Sequence, residues 1–548
     1  MKVDLLLKNA NVLTLDQENR CAGCVAVAKG KIVGIWVTEE PPKGAIEISS
    51  QTNVVDLHGA SLLPGFIDTH NHILMYGQTM SMVNCCSPSP NQTIKGVLEG
   101  IAAKVQETKN GEWVQGYGYD DTLINEKRHI TREDLDQVSS NTPVFITHVS
   151  GHVAYVNSLA LKMAGLTDGI SNPNGGQYGK DEKGRLNGVL YEESAMAPVR
   201  RKIPQMTVED KIHAISTASK EYVAQGITTI TDAAVFGLDD LEAHLQASKF
   251  GVNPMRTRLM IMHHLLRKGA PYGDYSQEQL NKEIMMRSGG RAKLDSAKIF
   301  QYGLIQGLPE ALSKSYYNNP VTINHSQDSF NEEVLDLHRR GFRMAAHGNG
   351  DRAVGSILEA YENALLPYPR AKHLHRIDHV QTASTAVIKK MAELGVAGSF
   401  SINHVYLCGE RHKQIFLIPE RGNRISPLAE AVKHNLLFTL HSDCPITSIS
   451  PIFSVWLAVN RMTRDGDILG PEQRIDLVTA LKSMTIYGAE LNFDEKITGS
   501  IEIGRQADFV VLEADPTAVN PMDIKDIKIQ ATFIEGKPVY VKDTVRTI

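Results

Sequence analysis

Two histidines one residue apart, His70-Asn71-His72, follow the apolar run Ser61-Leu62-Leu63-Pro64-Gly65-Phe66-Ile67 and an aspartate, Asp68. In an extended chain alternate side chains share a face, so both imidazoles point to one spot. Two neutral imidazoles on one spot make half of a divalent-metal site. The motif alone is weak in a chain with 20 histidines. Its weight comes from residues far away in sequence: Lys298, His347, His379 and Asp443 each fall within or at the end of a segment that reads as a strand. Imidazoles joined by a carboxylate are the donors expected of Zn²⁺ or a similar ion. The expectation is therefore one or two divalent ions, zinc first.

Such residues meet only if the strands that carry them end together. Strand-like segments lie at 61–68, 228–233, 258–263, 297–301, 342–347, 376–380, 396–402 and 436–442. Helical spacing falls between several of them, at 332–341, 351–366, 386–395 and 427–435, and Thr207-Val208-Glu209-Asp210 has the form of a capping box whose helix stops at Gly226. Eight strands alternating with helices is the count of a (β/α)₈ TIM barrel, in which the C-terminal strand ends converge on one mouth. An open doubly wound sheet also fits the alternation, but no G-x-G-x-x-G follows any strand. Roughly 150 residues separate the first two strands, far more than a βα unit needs. That excess marks 84–202 as an insertion domain, with the polar stretch Asp168 to Arg185 as a turn-and-lid region. Both ends of the chain read as β, so 1–59 and 496–548 are expected to build one small β-sandwich around a distorted barrel of 60–83 and 203–495.

Composition narrows the class. The 548 residues are 42% hydrophobic and 22% charged, a globular balance, with a net charge of −5. No basic excess points to nucleic acid or an acidic membrane surface. No apolar run is long enough to span a bilayer, and the first residues lack the form of a secretory signal. Six cysteines do not make a disulfide framework at this length. Cys21-Ala22-Gly23-Cys24 has redox-pair spacing without the strand-to-helix setting, and reads as two incidental thiols. A cytoplasmic enzyme with a small-molecule substrate is expected; a homodimer is compatible with all of this.

Together these motifs resemble the amidohydrolase superfamily, and within it the branch of N-substituted formamide deformylases. The resemblance runs nearly the whole length. It is carried by Leu63-Pro64-Gly65-Phe66-Ile67-Asp68-Thr69-His70-Asn71-His72, Gly116-Tyr117-Gly118-Tyr119-Asp120, Ser150-Gly151-His152, Ala346-His347-Gly348-Asn349-Gly350-Asp351, His375-Arg376-Ile377-Asp378-His379 and Ser442-Asp443-Cys444-Pro445. It implies a distorted barrel with a β-sandwich, His70 and His72 on a first metal, and His347 and His379 on a second. It also implies Asp443 as a ligand that takes the proton of the attacking water, and Lys298 as a carbamylated bridge. An ordinary lysine paired with a carboxylate is the other reading of Lys298, with Glu192, Cys85 or Cys86 as substitute bridges. The branch's usual Asp-Gly after the lysine strand is replaced by Phe300-Gln301-Tyr302-Gly303. His152 is the candidate substrate contact from the insertion. His263, His264 and His441 are candidates to shape the pocket. The implied activity is hydrolysis of an amide, formamide or cyclic amide C–N bond. Deamination, ester hydrolysis or a non-catalytic metal-binding regulatory role are the alternatives.

Overall fold

The computed structural model describes residues 2–87, 91–109, 111–300, 326–411, 413 and 419–542. Its centre is one eight-stranded sheet, parallel throughout, in which each strand lies beside its neighbour in sequence. The strands are β1 (Phe66–Asn71), β2 (Ile227–Val235), β3 (Arg256–Met262), β4 (Ala292–Phe300), β5 (Met344–Gly348), β6 (Arg376–His379), β7 (Ala397–Phe400) and β8 (Phe438–Leu440). Every residue of β1, β2 and β5 to β8 is buried, as expected of strands covered on both faces. β1 and β8 are not neighbours in a ladder. The segment after β8 closes the seam instead: Asp443 N donates to His70 O (3.0 Å) and His72 N to Cys444 O (2.8 Å). Asp68 clamps the same seam by accepting the Ser442 hydroxyl. The barrel expected from the alternation is present, and its closure delivers Asp443 beside His70. Gln301, the last residue of the expected fourth strand, and Tyr302 and Gly303 lie outside the described residues.

The helices between strands begin where short polar caps stand. Ser326 accepts from Ser329 N ahead of Gln327–Arg339, and Ser384 from Val387 N ahead of Thr385–Leu394. Thr207 and Asp210 form the reciprocal capping box, Asp210 N donating to Thr207 Oγ1 (3.2 Å) and Thr207 N to Asp210 Oδ2 (2.9 Å). Two further sheets come from the chain's two ends. One holds Leu5–Lys8, Cys24–Ala28, Lys31–Trp36 and Asn53–Asp56. The other joins Asn11–Leu13, Cys21–Ala22 and Ser61–Pro64 to Phe509–Leu512, Ile529–Ile534 and Lys537–Val541. Leu7, Val25 and Val27 pack in one core with Phe509, Val511 and Phe533, which is why neither end would bury its apolar face alone.

Residues 75–214 form a separate compact unit. Its six-stranded sheet runs Gln177–Lys180, Leu186–Tyr191, Val153–Val156, Val144–His148, Val114–Tyr119 and Val83–Asn84 in spatial order. The polar stretch read as a turn-and-lid region contains the strand Gln177–Lys180, paired antiparallel with Leu186–Tyr191. Tyr178 and Leu186 enter the unit's core there, a packing that the surrounding Gly and Asn residues hid. Among the described residues no helix is long and apolar enough to cross a membrane.

Candidate metal centre

His70 is the last residue but one of β1 and is 2% exposed. Its Nε2 lies 3.2 Å from Asp443 Oδ1, and His72 Nε2 lies 3.4 Å from the same oxygen. Four donors placed tetrahedrally 2.0–2.1 Å from a zinc ion are about 3.4 Å apart, so Asp443 Oδ1 already stands at ligand spacing from each of the two nitrogens. The charge also fits. Asp443 is buried, and among the described residues its ion-pair partners are three imidazoles, those of His70, His72 and His379 (3.9 Å). Lys298 acts on Asp443 only from beyond ion-pair distance, and a buried carboxylate paired only with imidazoles is short of a full positive charge at contact. Burial pushes the Asp443 carboxyl up, but His379, then the hydrogen bonds from His70 and His72, outweigh it and hold it well below its ordinary value.

A second group of imidazoles adjoins the first. The rings of His347 and His379 are 4.5 Å apart, those of His70 and His379 4.9 Å, and His441 stacks on His70 at 4.7 Å. Nitrogens of His70, His379 and His441 lie within 4.8 Å of one another, as do the donors of His70, His72 and Asp443. Burial, then Lys298, lowers the His347 pKa to about 3, and burial drives those of His379 and His441 well down. All three are neutral at pH 7, the form that offers a lone pair to a metal.

The strand geometry explains how adjacent residues of β6 both serve. Asp378 and His379 should point to opposite faces, yet both reach the site. Backbone φ values of +74° at His379 and +47° at Val380 break the extended alternation at the strand end. Asp443 is likewise left-handed, at φ +55°. Left-handed backbone at side chains other than glycine costs energy, and it gathers where geometry is dictated by a site.

Lys298, fully buried on β4, donates to Asp378 Oδ2, whose other oxygen accepts from Arg376 Nε (2.8 Å). Asp378 Oδ2 lies 3.1 Å from His70 Nδ1, on the side of the ring away from Asp443. The approach is one of charge: among the described residues His70 Nδ1 has no partner in hydrogen-bond geometry, and the carboxylate behind it favours a proton on that nitrogen, the side a metal ligand leaves free. Arg376 and Lys298 keep that carboxylate ionised inside the barrel: burial raises its pKa, and the two cations bring it well below normal.

His152 belongs to the 75–214 unit, with Nδ1 2.9 Å from Glu192 Oε2, and Glu192, Cys85 and Cys86 belong to that unit as well. His263 Nδ1 is engaged by Glu333 (2.7 Å) and His264 Nε2 by the Phe236 carbonyl (2.9 Å). Sequence reasoning assigned no role to Asp378, Arg376, Ser399, Ser401 or His404. Period-two spacing could have found some of them: Arg376 shares a face with Asp378, and Ser399 with Ser401.

The amidohydrolase family model matches residues 53–540. Among curated relatives, the N-substituted formamide deformylase of Arthrobacter pascens is 28% identical, over 97% of each chain. Two uncharacterized metal-dependent hydrolases of known structure have the same fold. The one from Pyrococcus furiosus has a TM-score of 0.72 at 21% identity, over 93% of this chain and 99% of that one. The one from Pyrococcus horikoshii OT3 has a TM-score of 0.74 at 20% identity, over 94% and 99%.

Proposed function

The chain belongs to the amidohydrolase family, and from that premise we propose that it hydrolyses a C–N bond, in an amide, formamide or cyclic amide, at a metal centre built on His70, His72 and Asp443. The observation that carries this is the placement of Asp443 Oδ1 between two imidazole nitrogens at the spacing of common ligands. A divalent ion, zinc first, supplies activation of water at neutral pH and polarisation of the scissile carbonyl when bound. The protein's own residues do the rest. Asp443, ionised and buried, accepts the proton of the attacking water and returns it to the leaving nitrogen. His70, backed by Asp378, and His72 hold their nitrogens toward the ion.

His347 and His379 are proposed as donors to a second ion, and Lys298 decides whether it is held. As an ammonium on Asp378 it is a counter-charge, and the centre takes one ion. As a carbamate it would have to leave Asp378, and the centre would take two. Burial, ahead of every other influence, depresses the Lys298 pKa, which favours the neutral amine that adds CO₂. Metal analysis with and without bicarbonate separates the cases as one or two ions per chain.

The name of the formamide deformylase relative supports N-substituted formamides as the first substrates to try, followed by N-acyl amino acids, hydantoins and esters. Asp443→Asn tests the mechanism. It should keep most of the metal and lose about 10²–10⁴-fold in kcat. Turnover near that of the wild type would overturn the role of Asp443.

A further inference from the structure

Behind His379 runs a chain of hydroxyls and imidazoles whose protons can be counted. Thr69, Ser399 and Thr439, on β1, β7 and β8, have their hydroxyl oxygens in mutual contact: Thr69–Thr439 at 2.8 Å, Thr69–Ser399 at 3.2 Å and Thr439–Ser399 at 3.1 Å. Three O···O contacts require three protons, and three hydroxyls have three. None is left for the next contact, Ser399 Oγ to His441 Nδ1 at 2.8 Å. The imidazole must therefore donate there. His441 is fully buried, and among the described residues no carboxylate lies within ion-pair distance of it, so its one ring proton is the one on Nδ1 and its Nε2 accepts the Ser401 hydroxyl at 2.7 Å. With its own proton given to His441, Ser401 can only accept from His379 Nδ1, at 2.8 Å; the same Nδ1 lies 3.3 Å from the unprotonated His441 Nε2, a second and longer acceptor for that proton. The proton of neutral His379 is thus held on Nδ1, and Nε2 keeps its lone pair.

We propose that His441 is a positioning residue: with Ser401, and with the hydroxyl ring of Thr69, Ser399 and Thr439 setting the direction, it fixes the tautomer in which His379 ligates a cation. This rests on the metal-centre reading above. His441 is not itself a ligand in this arrangement, because both of its nitrogens are engaged by serine hydroxyls. The donor cluster of His70, His379 and His441 is then one ligand, its neighbour and a support, rather than three equal ligands.

The test is Co²⁺ binding to the metal-stripped full-length chain, read as a dissociation constant by chelator competition and as the visible cobalt spectrum. Ser401→Ala should weaken Co²⁺ by about 10–100-fold, the usual effect of losing a ligand's outer partner, and should change the spectrum. Ser401→Thr, which keeps the hydroxyl, should restore both. His441→Phe should match Ser401→Ala, and the double variant should be no weaker than either alone, because the two act in one chain. Thr439→Val frees a proton in the ring without touching either histidine and should give a smaller loss. A folded Ser401→Ala or Thr439→Val protein with wild-type affinity and spectrum overturns the proposal, even if its thermal stability has dropped. A wild-type chain that takes up no cobalt counts instead against the metal centre itself.

Discussion

Two groups of buried histidines stand at opposite ends of the same strands. At the C-terminal ends, His70, His72, His347, His379 and His441 face Asp443 and Asp378. At the N-terminal ends of β5 and β6, His338, His373 and His375 meet around Arg370. His347, His379 and His441 in the first group and all three histidines of the second are buried with lowered basicity, so neither property tells the groups apart. The hydrogen-bond accounts do. His375 Nδ1 accepts Met344 N–H (3.1 Å), so its proton is on Nε2, which donates to His338 Nδ1 (3.0 Å); His338 Nε2 then donates to the Tyr368 carbonyl (2.7 Å). His373 accepts His375 N–H on Nδ1 (3.0 Å) and donates from Nε2 to the Leu394 carbonyl (2.8 Å). Every nitrogen in this group is satisfied within the protein, so it has nothing to offer a ligand. At the mouth, His70 has carboxylates at both nitrogens and Asp443 has only imidazoles, an account that closes when a cation is added. Histidines that finish their hydrogen bonds are structure; those that leave a carboxylate short of charge are a site.

The largest effects should divide along that line. His72→Ala removes a donor at the rim of the mouth, and kcat and bound metal should both fall by more than about 100-fold, since even an outer partner of a ligand is worth 10–100-fold. Its unfolding in chelator should match that of the metal-free wild type. His375→Ala should do the reverse. It strands Met344 N–H and His338 in the interior and should cost about 2–4 kcal/mol in urea unfolding, with metal content and kcat per folded molecule unchanged. Metal loss in His375→Ala, or full metal in His72→Ala, would break the contrast.

A smaller effect separates the groups by pH. Burial lowers the pKa of His338, His373 and His375, aided by neighbouring Arg370. A base depressed in the fold takes up protons on unfolding. Its contribution is complete above about pH 6.5, the unfolded value, and is lost as pH falls below it. Metal-free protein should therefore lose stability between pH 6.5 and 5, by up to about 1.4 kcal/mol per pH unit for each proton taken up. His338→Gln can still accept from His375 and donate to Tyr368 but does not titrate, so urea unfolding across this range should give a shallower slope. An unchanged slope would assign the pH dependence to other groups.

How much of this was legible in the sequence follows from the same contrast. The barrel showed in buried strands alternating with capped helices, and His379 and Asp443 were found because each stands at or just beyond the C-terminal end of an expected strand, whereas His375 stands just ahead of one. Asp378 was unreadable in its role. Alternation places it away from His379, and only the left-handed turn at 379–380 brings both to the site. Lys298 was legible as a residue of the mouth, but its pairing with Asp378 depends on the register of β4, β5 and β6, which no local pattern encodes. The proton chain through Ser399, Ser401 and His441 shows in the sequence only as period-two spacing, and its direction comes from three hydroxyls on three different strands.

Distance alone cannot make the distinction, and His58 shows why. His58 Nδ1 lies 3.3 Å from Asp56 Oδ1, about the separation of His70 from Asp443, but the His58 side chain is 77% exposed. Water solvates both partners there, screens their attraction and satisfies whatever the pair leaves open. The carboxylate at position 56 is not short of charge: Lys8 lies 3.9 Å from it, Asn9 Nδ2 donates to it, and solvent reaches it. His58→Ala should therefore leave metal content, kcat and melting temperature at their wild-type values. A measurable loss of metal in this variant would mean that a histidine–carboxylate spacing is enough by itself, and that burial does not create the demand for a cation at the mouth.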